Sequence, residues 1–249
     1  MNLIKTKLGK RVRKELIFPA SISEDLAYIC GFMAGDGSIY TRMSKHDYII
    51  KCVGNPKKER EFYHQTIGPL FKGLFNLDVN LKVQDCGETY GFVVYSKELL
   101  TYLTESIGLP CGKKYDSLRI PPTIKNNKQL LIAFLRGLAD TDFYLGLKRG
   151  SKINPYYPII TGCSKSFEFM NEVANQFEKL GFKVTRYFNY KQLDIRFKNG
   201  YSIINRVELC GHDNYKLWMK LIGFKNPRHL NKCEIMSKQY NQSHSHKNN

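Results

Sequence analysis

Acidic residues are scarce in this sequence: 22 Asp and Glu stand against 39 Lys and Arg in 249 residues, a formal charge of +17 and a pI near 9.5. Such a chain is surrounded by positive potential, which disfavours cationic partners and favours a polyanion. A surplus of a few charges would suit a solubilising surface. One this large, interleaved with 16 Tyr and 15 Phe, points to nucleic acid. Long apolar runs are missing too. None approaches the roughly 20 residues a membrane span requires, no basic amphipathic helix stands out, and MNLIKTKLGKRVRKELIF at the start is charged where a signal peptide needs an apolar segment. A soluble, intracellular protein without a membrane partner is expected. The seven cysteines are odd in number and form no CxxC pair, which suits reduced thiols better than a disulfide framework. Cys210 and His212 (C-x-H) with His229 and Cys233 (i, i+4) leave a formal zinc option, although the spacing matches no common zinc pattern.

With 42% hydrophobic and 13% aromatic residues, the chain can bury a real core. Read coarsely, its order of events occurs twice. SISEDLAYICGFMAGDG opens with a capping-box pattern, Ser21 followed by Glu24, and continues as an apolar helix ending in Gly-Asp-Gly. NKQLLIAFLRGLADTD is a second apolar helix ending on an aspartate. Each is followed by two strand-like stretches, an amphipathic helix, a hairpin (LKVQDCGETYGFVVYS; KVTRYFNYKQLDIRFKN) and a closing helix (LTESIGLPCGKKY; WMKLIGFKNPRH). The chain thus reads as α+β, a tandem αββαββα duplication: a basic lead-in over 1–20, repeats over 21–120 and 129–238, a Pro/Asn linker over 121–128, and a disordered polar tail over 239–249. Gly31 and Gly35 in one motif helix, and Ala133, Gly137 and Thr141 in the other, are spaced to let two helix backbones approach closely.

Helix packing of that kind, with both helices running the same way, brings Asp36 and Asp142 together. The C-terminal end of a helix is partly negative, so two carboxylates there repel unless a cation is supplied. Mg²⁺ takes oxygen ligands and commonly combines one or two carboxylates with substrate phosphates, a combination suited to activating water and stabilising a leaving oxygen at a scissile phosphate. A single Asp-Gly after a helix is ordinarily a turn; recurrence at equivalent places in both repeats favours the metal.

ICGFMAGDG (Ile29 to Gly37) and LRGLADTDF (Leu135 to Phe143) resemble the two copies of the motif that names the LAGLIDADG homing endonucleases, and the repeat covers nearly the whole chain after the lead-in. The resemblance implies a monomer of two αββαββα halves joined at the motif helices, with two saddle-shaped antiparallel sheets along the DNA major groove. It implies cleavage of a long, partly asymmetric double-stranded site with Mg²⁺ to leave 3′ overhangs, Mn²⁺ substituting and Ca²⁺ binding without efficient cleavage, and an origin in a mobile intron. It assigns metal binding to Asp36 and Asp142, with the Gly35 and Thr141 carbonyls beside them, and leaves Asp140 as a helix-end residue that shapes the interface. A basic residue after the last helix of each half would polarise or position the attacking water: Lys113, with Lys114 next, and Arg228. The pattern departs from the family where its final glycine becomes Phe143, a residue that does not tolerate positive φ or close backbone approach as glycine does.

Strand alternation sorts candidate DNA contacts. Lys82 and Gln84 are expected to face away from the helices while Leu81 and Val83 face them. Asp194, Arg196 and Lys198 are expected outward on a strand whose Leu193, Ile195 and Phe197 point inward. Thr185, Tyr187, Asn189 and Lys191 share one face of its neighbour, and Tyr40, Arg42 and Lys148 lie on early strands. Arg and Lys suit guanine, Gln and Asn suit adenine, and a two-stranded ribbon fits the major groove. The competing functions on this scaffold are an intron RNA maturase and a DNA-binding regulator, for which loss of the acidic pair would be the mark; an adaptor with a basic surface has no reason to pair carboxylates. An intein domain is disfavoured by the absence of Cys or Ser after Met1 and of a closing His-Asn pair.

Overall fold

Ser23 starts the first motif helix, α1 (Glu24–Gly35), its hydroxyl accepting the Leu26 N–H at 3.2 Å. The cap is therefore Ser23 rather than the expected Ser21, because Glu24 is already the first helical residue. Every residue from Leu26 to Ala34 is buried, as befits a helix that is apolar all round. The second motif helix, α7 (Lys128–Asp142), is capped by Asn127, whose Oδ1 accepts the Gln129 and Leu130 N–H groups at 3.0 and 3.2 Å. The computed structural model describes residues 4–6, 15–149 and 156–245.

The chain divides into two compact units, Met1–Asp142 and Phe143–Asn249. The first therefore contains both motif helices, since packing against α1 ties α7 to it. Around the helices are β1 (Ile4–Thr6) paired with β2 (Leu16–Phe18), and a four-stranded antiparallel sheet ordered β3-β4-β6-β5: β3 (Gly37–Arg42), β4 (Asp47–Gly54), β5 (Lys82–Gln84) and β6 (Thr89–Tyr95). Between strands run α2 (Arg60–Phe62), a π-helical turn (Tyr63–Ile67) and α3 (Gly68–Phe75); after them come α4 (Lys97–Thr101) with a second π turn (Tyr102–Ser106), α5 (Lys114–Ser117) and, in the linker, α6 (Pro122–Lys125). One sheet face carries Ile39, Ile50 and Val94 in register and is buried with Phe32, Phe62, Phe71 and Phe92. The basic lead-in joins this core through Leu16 and Phe18, Phe18 lying 5.0 Å from the Tyr102 ring.

The second unit contains β7 (Phe143–Arg149), β8 (Tyr156–Ser164), α8 (Phe167–Lys179), β9 (Thr185–Leu193), β10 (Tyr201–Cys210), α9 (His212–Leu221) and α10 (Pro227–Ser245), its antiparallel sheet ordered β7-β8-β10-β9. The single Trp, Trp218, is fully buried between Phe177, Phe182, Phe143 and Phe224 at ring distances of 5.4 to 6.1 Å.

Three expectations change here. The partner of β9 is Tyr201–Cys210, not LDIRFK: residues 194–200 form the turn, in which the Asp194 N–H donates to Gly200 O at 2.9 Å, and Leu193 and Ile195 are 89% and 97% exposed. A bulge opposite Ile204–Arg206, with Asn189 at φ 52°, adds a residue to β9, so Tyr187 and Tyr190 share a face while Lys191 moves to the other. The helix α10 continues through Ser245, so residues 239–245 of the expected disordered tail are helical; 246–249 lie outside the described residues.

Candidate active site

The motif helices touch backbone to backbone. A Cβ placed on Gly31 would run into Phe134 O, and one on Gly137 into Tyr28 O; glycine is required where two helices come this close. A Cβ on Gly35 would collide with Thr141 Oγ1 and lie 3.1 Å from Asp142 Oδ1. Thus Gly35, next to Asp36, abuts Thr141 and Asp142, and the last acidic positions of both motifs lie at the same end of the helix pair, within electrostatic reach of Lys114. Asp36 caps α1, its N–H donating to Phe32 O at 3.0 Å, and its Oδ2 faces Gly54 at the end of β4, 3.2 Å from where a Gly54 Cβ would stand. Asp140, two residues before Asp142, is fully buried and accepts from Tyr28 Oη at 2.6 Å, locking α7 to α1. Burial, reinforced by that carboxylate, pushes the Tyr28 phenol well above its usual range.

The cation at this end is Lys114. Its Nζ donates to Met33 O at 3.3 Å, to Ala34 O at 2.9 Å and, most closely, to Gly35 O. Burial lowers its pKa, against the opposing pull of Asp142 and then Asp36. Lys113, the expected first choice, is exposed and precedes α5 with extended backbone. Of the two adjacent lysines, it is Lys114 that reaches this helix end, and Gly35 O, expected beside a metal, accepts from it.

Among the described residues no group of three or more His, Cys, Asp and Glu could hold a metal. Asp36 and Asp142, with the buried Glu59 carboxylate also bordering Gly54 beside Asp36, are a donor set that fits a hard cation completed by water and phosphate oxygens better than a closed all-protein cage. The zinc option does not materialise. Cys210 Sγ lies 3.7 Å from Glu208 Oε2, Cys233 Sγ lies 3.8 Å from Met219 Sδ, and His229 stacks on Phe224 at 4.5 Å.

In the second unit, Arg228 is half-buried, its Nη2 3.1 Å from His229 Nε2. One turn further along α10, Lys232 Nζ donates to Leu145 O at 3.1 Å and lies 4.0 Å over the Tyr144 ring, a cation the sequence reading missed. Phe143 is buried in the core, pairing in register with Gly162.

The DNA-contact candidates divide. Tyr40 and Arg42 share the helix-free face of the first sheet with Lys51, Lys82 and Gln84 by register. Arg42 pairs with Asp47 at 2.7 Å and Gln84 is half-buried; Val83, on the helix side, is 45% exposed rather than covered. Lys51, unforeseen, is gripped by Asp85 at 2.6 and 2.8 Å. In the second sheet, Lys148, Thr185 and Tyr187 lie on the helix-free face, joined by Arg206 and Glu208 from the strand missed in sequence. The Asn189 N–H donates to Asn205 Oδ1 at 3.0 Å, and Lys191 on the other face lies 5.0 Å over Tyr201. Arg196 and Lys198 belong to the turn, Arg196 bound to Asp194 at 2.7 Å, which holds that carboxyl down at about 2.

No family model matches the chain. Two curated proteins of Methanocaldococcus jannaschii do. The glutamine–fructose-6-phosphate aminotransferase (isomerizing) is 25% identical over 220 residues, 88% of this chain and 18% of that protein; an uncharacterized protein is 26% identical over 182 residues, 72% of this chain and 62% of that protein. The chain spans less than two thirds of either relative. Among solved structures, mesophilic variants of the homing endonuclease I-DmoI are 19% identical with a TM-score of 0.54, covering 80% of this chain and 95% of that one. I-DmoI in complex with DNA and Ca is 18% identical (TM-score 0.55; 85% and 97%). I-SmaMI bound to uncleaved DNA target in the presence of calcium ions is 14% identical (0.54; 90% and 94%). These neighbours are LAGLIDADG homing endonucleases, and the chain has their α+β fold with two four-stranded antiparallel sheets.

Proposed function

We propose that this chain is a LAGLIDADG homing endonuclease: a monomer that binds a long double-stranded DNA site and hydrolyses one phosphodiester in each strand, leaving 3′ overhangs, as the product of a mobile intron. The observation that carries the reading is Asp142 against Gly35, the residue before Asp36, at the end of α1 and α7 where Lys114 feels both carboxylates. An adaptor or a binding-only regulator has no use for two carboxylates at two negative helix ends. The fold shared with I-DmoI and I-SmaMI, whose solved complexes hold target DNA with Ca, Mn or Mg, supports the same substrate here.

Asp36 and Asp142 would hold the divalent ion, with the Gly35 and Thr141 carbonyls at the same end. Bound there with the scissile phosphate, Mg²⁺ or Mn²⁺ would supply charge neutralisation and a lowered pKa of water. Lys114 keeps the carboxylate pair from repelling in free protein and presents a cation where charge develops on the phosphate. Arg228 and Lys232 are the corresponding cations of the second unit. The helix-free sheet faces supply phosphate and base contacts, with phosphate contacts carrying much of the affinity.

The test is incubation with a randomised duplex library and Mg²⁺, followed by sequencing of the cut ends, which reads activity, site and stagger together. Asp36→Asn and Asp142→Asn should abolish cutting while leaving DNA binding largely intact. Full cleavage by both variants would falsify the assignment, and tight binding of intron RNA without cutting by the native chain would favour a maturase.

A further inference from the structure

Arg206 occupies a setting that its sequence context gives no hint of. It lies on β10, an inner strand of the second sheet, on the face turned away from the buried Val207 and Leu209. Its guanidinium carbon sits 4.7 Å from the Tyr187 ring centroid and 5.0 Å from that of Tyr190. The bulge in β9 is what makes this possible, since without the extra residue Tyr190 would turn to the opposite face. Its Nε is buried and forms an ion pair with Glu208 Oε1 at 3.3 Å, without a hydrogen bond. Glu208 is itself buried, only 4% exposed, and its other oxygen is 3.3 Å from Lys148 Nζ. Two rings thus flank the guanidinium and one buried carboxylate faces it, on the side of the sheet away from Val207 and Leu209.

With Nε buried on the side of Glu208, the edge that remains accessible is the pair of Nη groups, a planar two-donor fork. Guanine presents two acceptors, O6 and N7, side by side in the major groove, and a bidentate Arg is the side chain that matches them. A phosphate contact needs neither ring flanks nor a buried carboxylate beside the cation, and a carboxylate there would repel phosphate. We propose that Arg206 reads a guanine in the half-site covered by the second sheet, with Tyr187, Tyr190 and Glu208 as its positioning residues. The proposal rests on the reading of the chain as a DNA-binding endonuclease and adds the base it selects.

The test is selection of bound duplexes from a randomised library in EDTA, so that binding is scored without cleavage; a protein that enriches a site but never cuts it fails the nuclease reading and leaves this one standing. The native chain should enrich guanine at one position that Arg206→Gln converts to adenine, because Gln pairs with adenine N6 and N7. Preference for guanine over the other bases there should fall by roughly 5- to 150-fold. Arg206→Lys, which keeps the charge, should retain guanine at reduced strength, and Glu208→Gln should weaken the preference without changing the base. A Gln variant with an unaltered base profile and uniformly weaker, less salt-dependent binding would make Arg206 a phosphate contact and overturn the proposal. So would failure of the native chain to enrich any sequence.

Discussion

Lys114 Nζ lies 2.9 Å from Ala34 O, in the last turn of a helix that has no basic residue of its own there. The second motif helix has none either. Both helices end on an aspartate, and the positive charge lacking there comes from a four-residue helix at the end of the first repeat, Lys114–Ser117. Lys114→Ala should therefore slow single-turnover cleavage by roughly 10²–10⁴-fold and lower stability by about 1 kcal/mol through loss of the helix-end cation. Lys113→Ala, truncating an exposed neighbour, should leave both near native. A slow Lys113 variant beside an active Lys114 variant would return the role to Lys113.

The two aspartates of ADTD have separate fates. Asp140 is buried against Tyr28 Oη at 2.6 Å, whereas Asp142 reaches the Gly35 side of α1. Asp140→Asn keeps the shape and a hydrogen-bonding oxygen, so cleavage should survive where Asp142→Asn loses it. Asp140→Ala leaves the Tyr28 hydroxyl without its acceptor and should cost about 1–3 kcal/mol in denaturant unfolding. Loss of activity in Asp140→Asn with an unchanged melting curve would place Asp140 in the chemistry instead.

Phe143, where the first motif has Gly37, is a core residue rather than an intruder. In the first sheet Gly37 pairs with Cys52; in the second Phe143 pairs with Gly162, and a Cβ on Gly162 would run into the Phe143 ring. The small residue has changed strands. Restoring the family pattern with Phe143→Gly should therefore destabilise by about 3–5 kcal/mol, the range for emptying a buried aromatic site. Pairing Phe143→Ala with Gly162→Val should recover part of that loss, since the two share one space. Strict additivity of the two changes in thermal unfolding would show that they do not.

How far such features can be read from sequence depends on what kind of rule places them. Gly31, Gly35 and Gly137 were legible as a helix contact because residue size and spacing alone dictate who can touch. The placement of Asp36 and Asp142 at the C-terminal ends of the two motif helices was legible in the same way. Leu193, Ile195 and Phe197 misled because they alternate as a buried strand does, yet they occupy a turn and its approach; no local pattern distinguishes the two, and only pairing with Tyr201–Cys210 does. That displaced strand hid Arg206 and Glu208. Lys113 and Lys114 are chemically identical, and which one points at α1 is set by backbone angles around Gly112 at φ 93°, which the order of residues does not state.

Cys163 offers an independent probe of the face used for DNA. It is exposed on β8, in register with Arg206, on the side of the sheet opposite the buried Ile160. In free protein it should react readily with a neutral maleimide. Cys30 and Cys52, both fully buried, should stay unlabelled until the chain unfolds; burial pushes the Cys30 thiol up to about 12, so little thiolate forms at neutral pH. Saturating duplex carrying the selected site should slow labelling of Cys163, measured by mass spectrometry of its peptide. Raising the salt should restore the free rate, because the contacts that hold DNA on a basic face release counterions and weaken steeply with ionic strength. Unchanged labelling under conditions where a gel shift shows full binding would mean that DNA does not cover this sheet, and would remove the basis for base reading by Arg206.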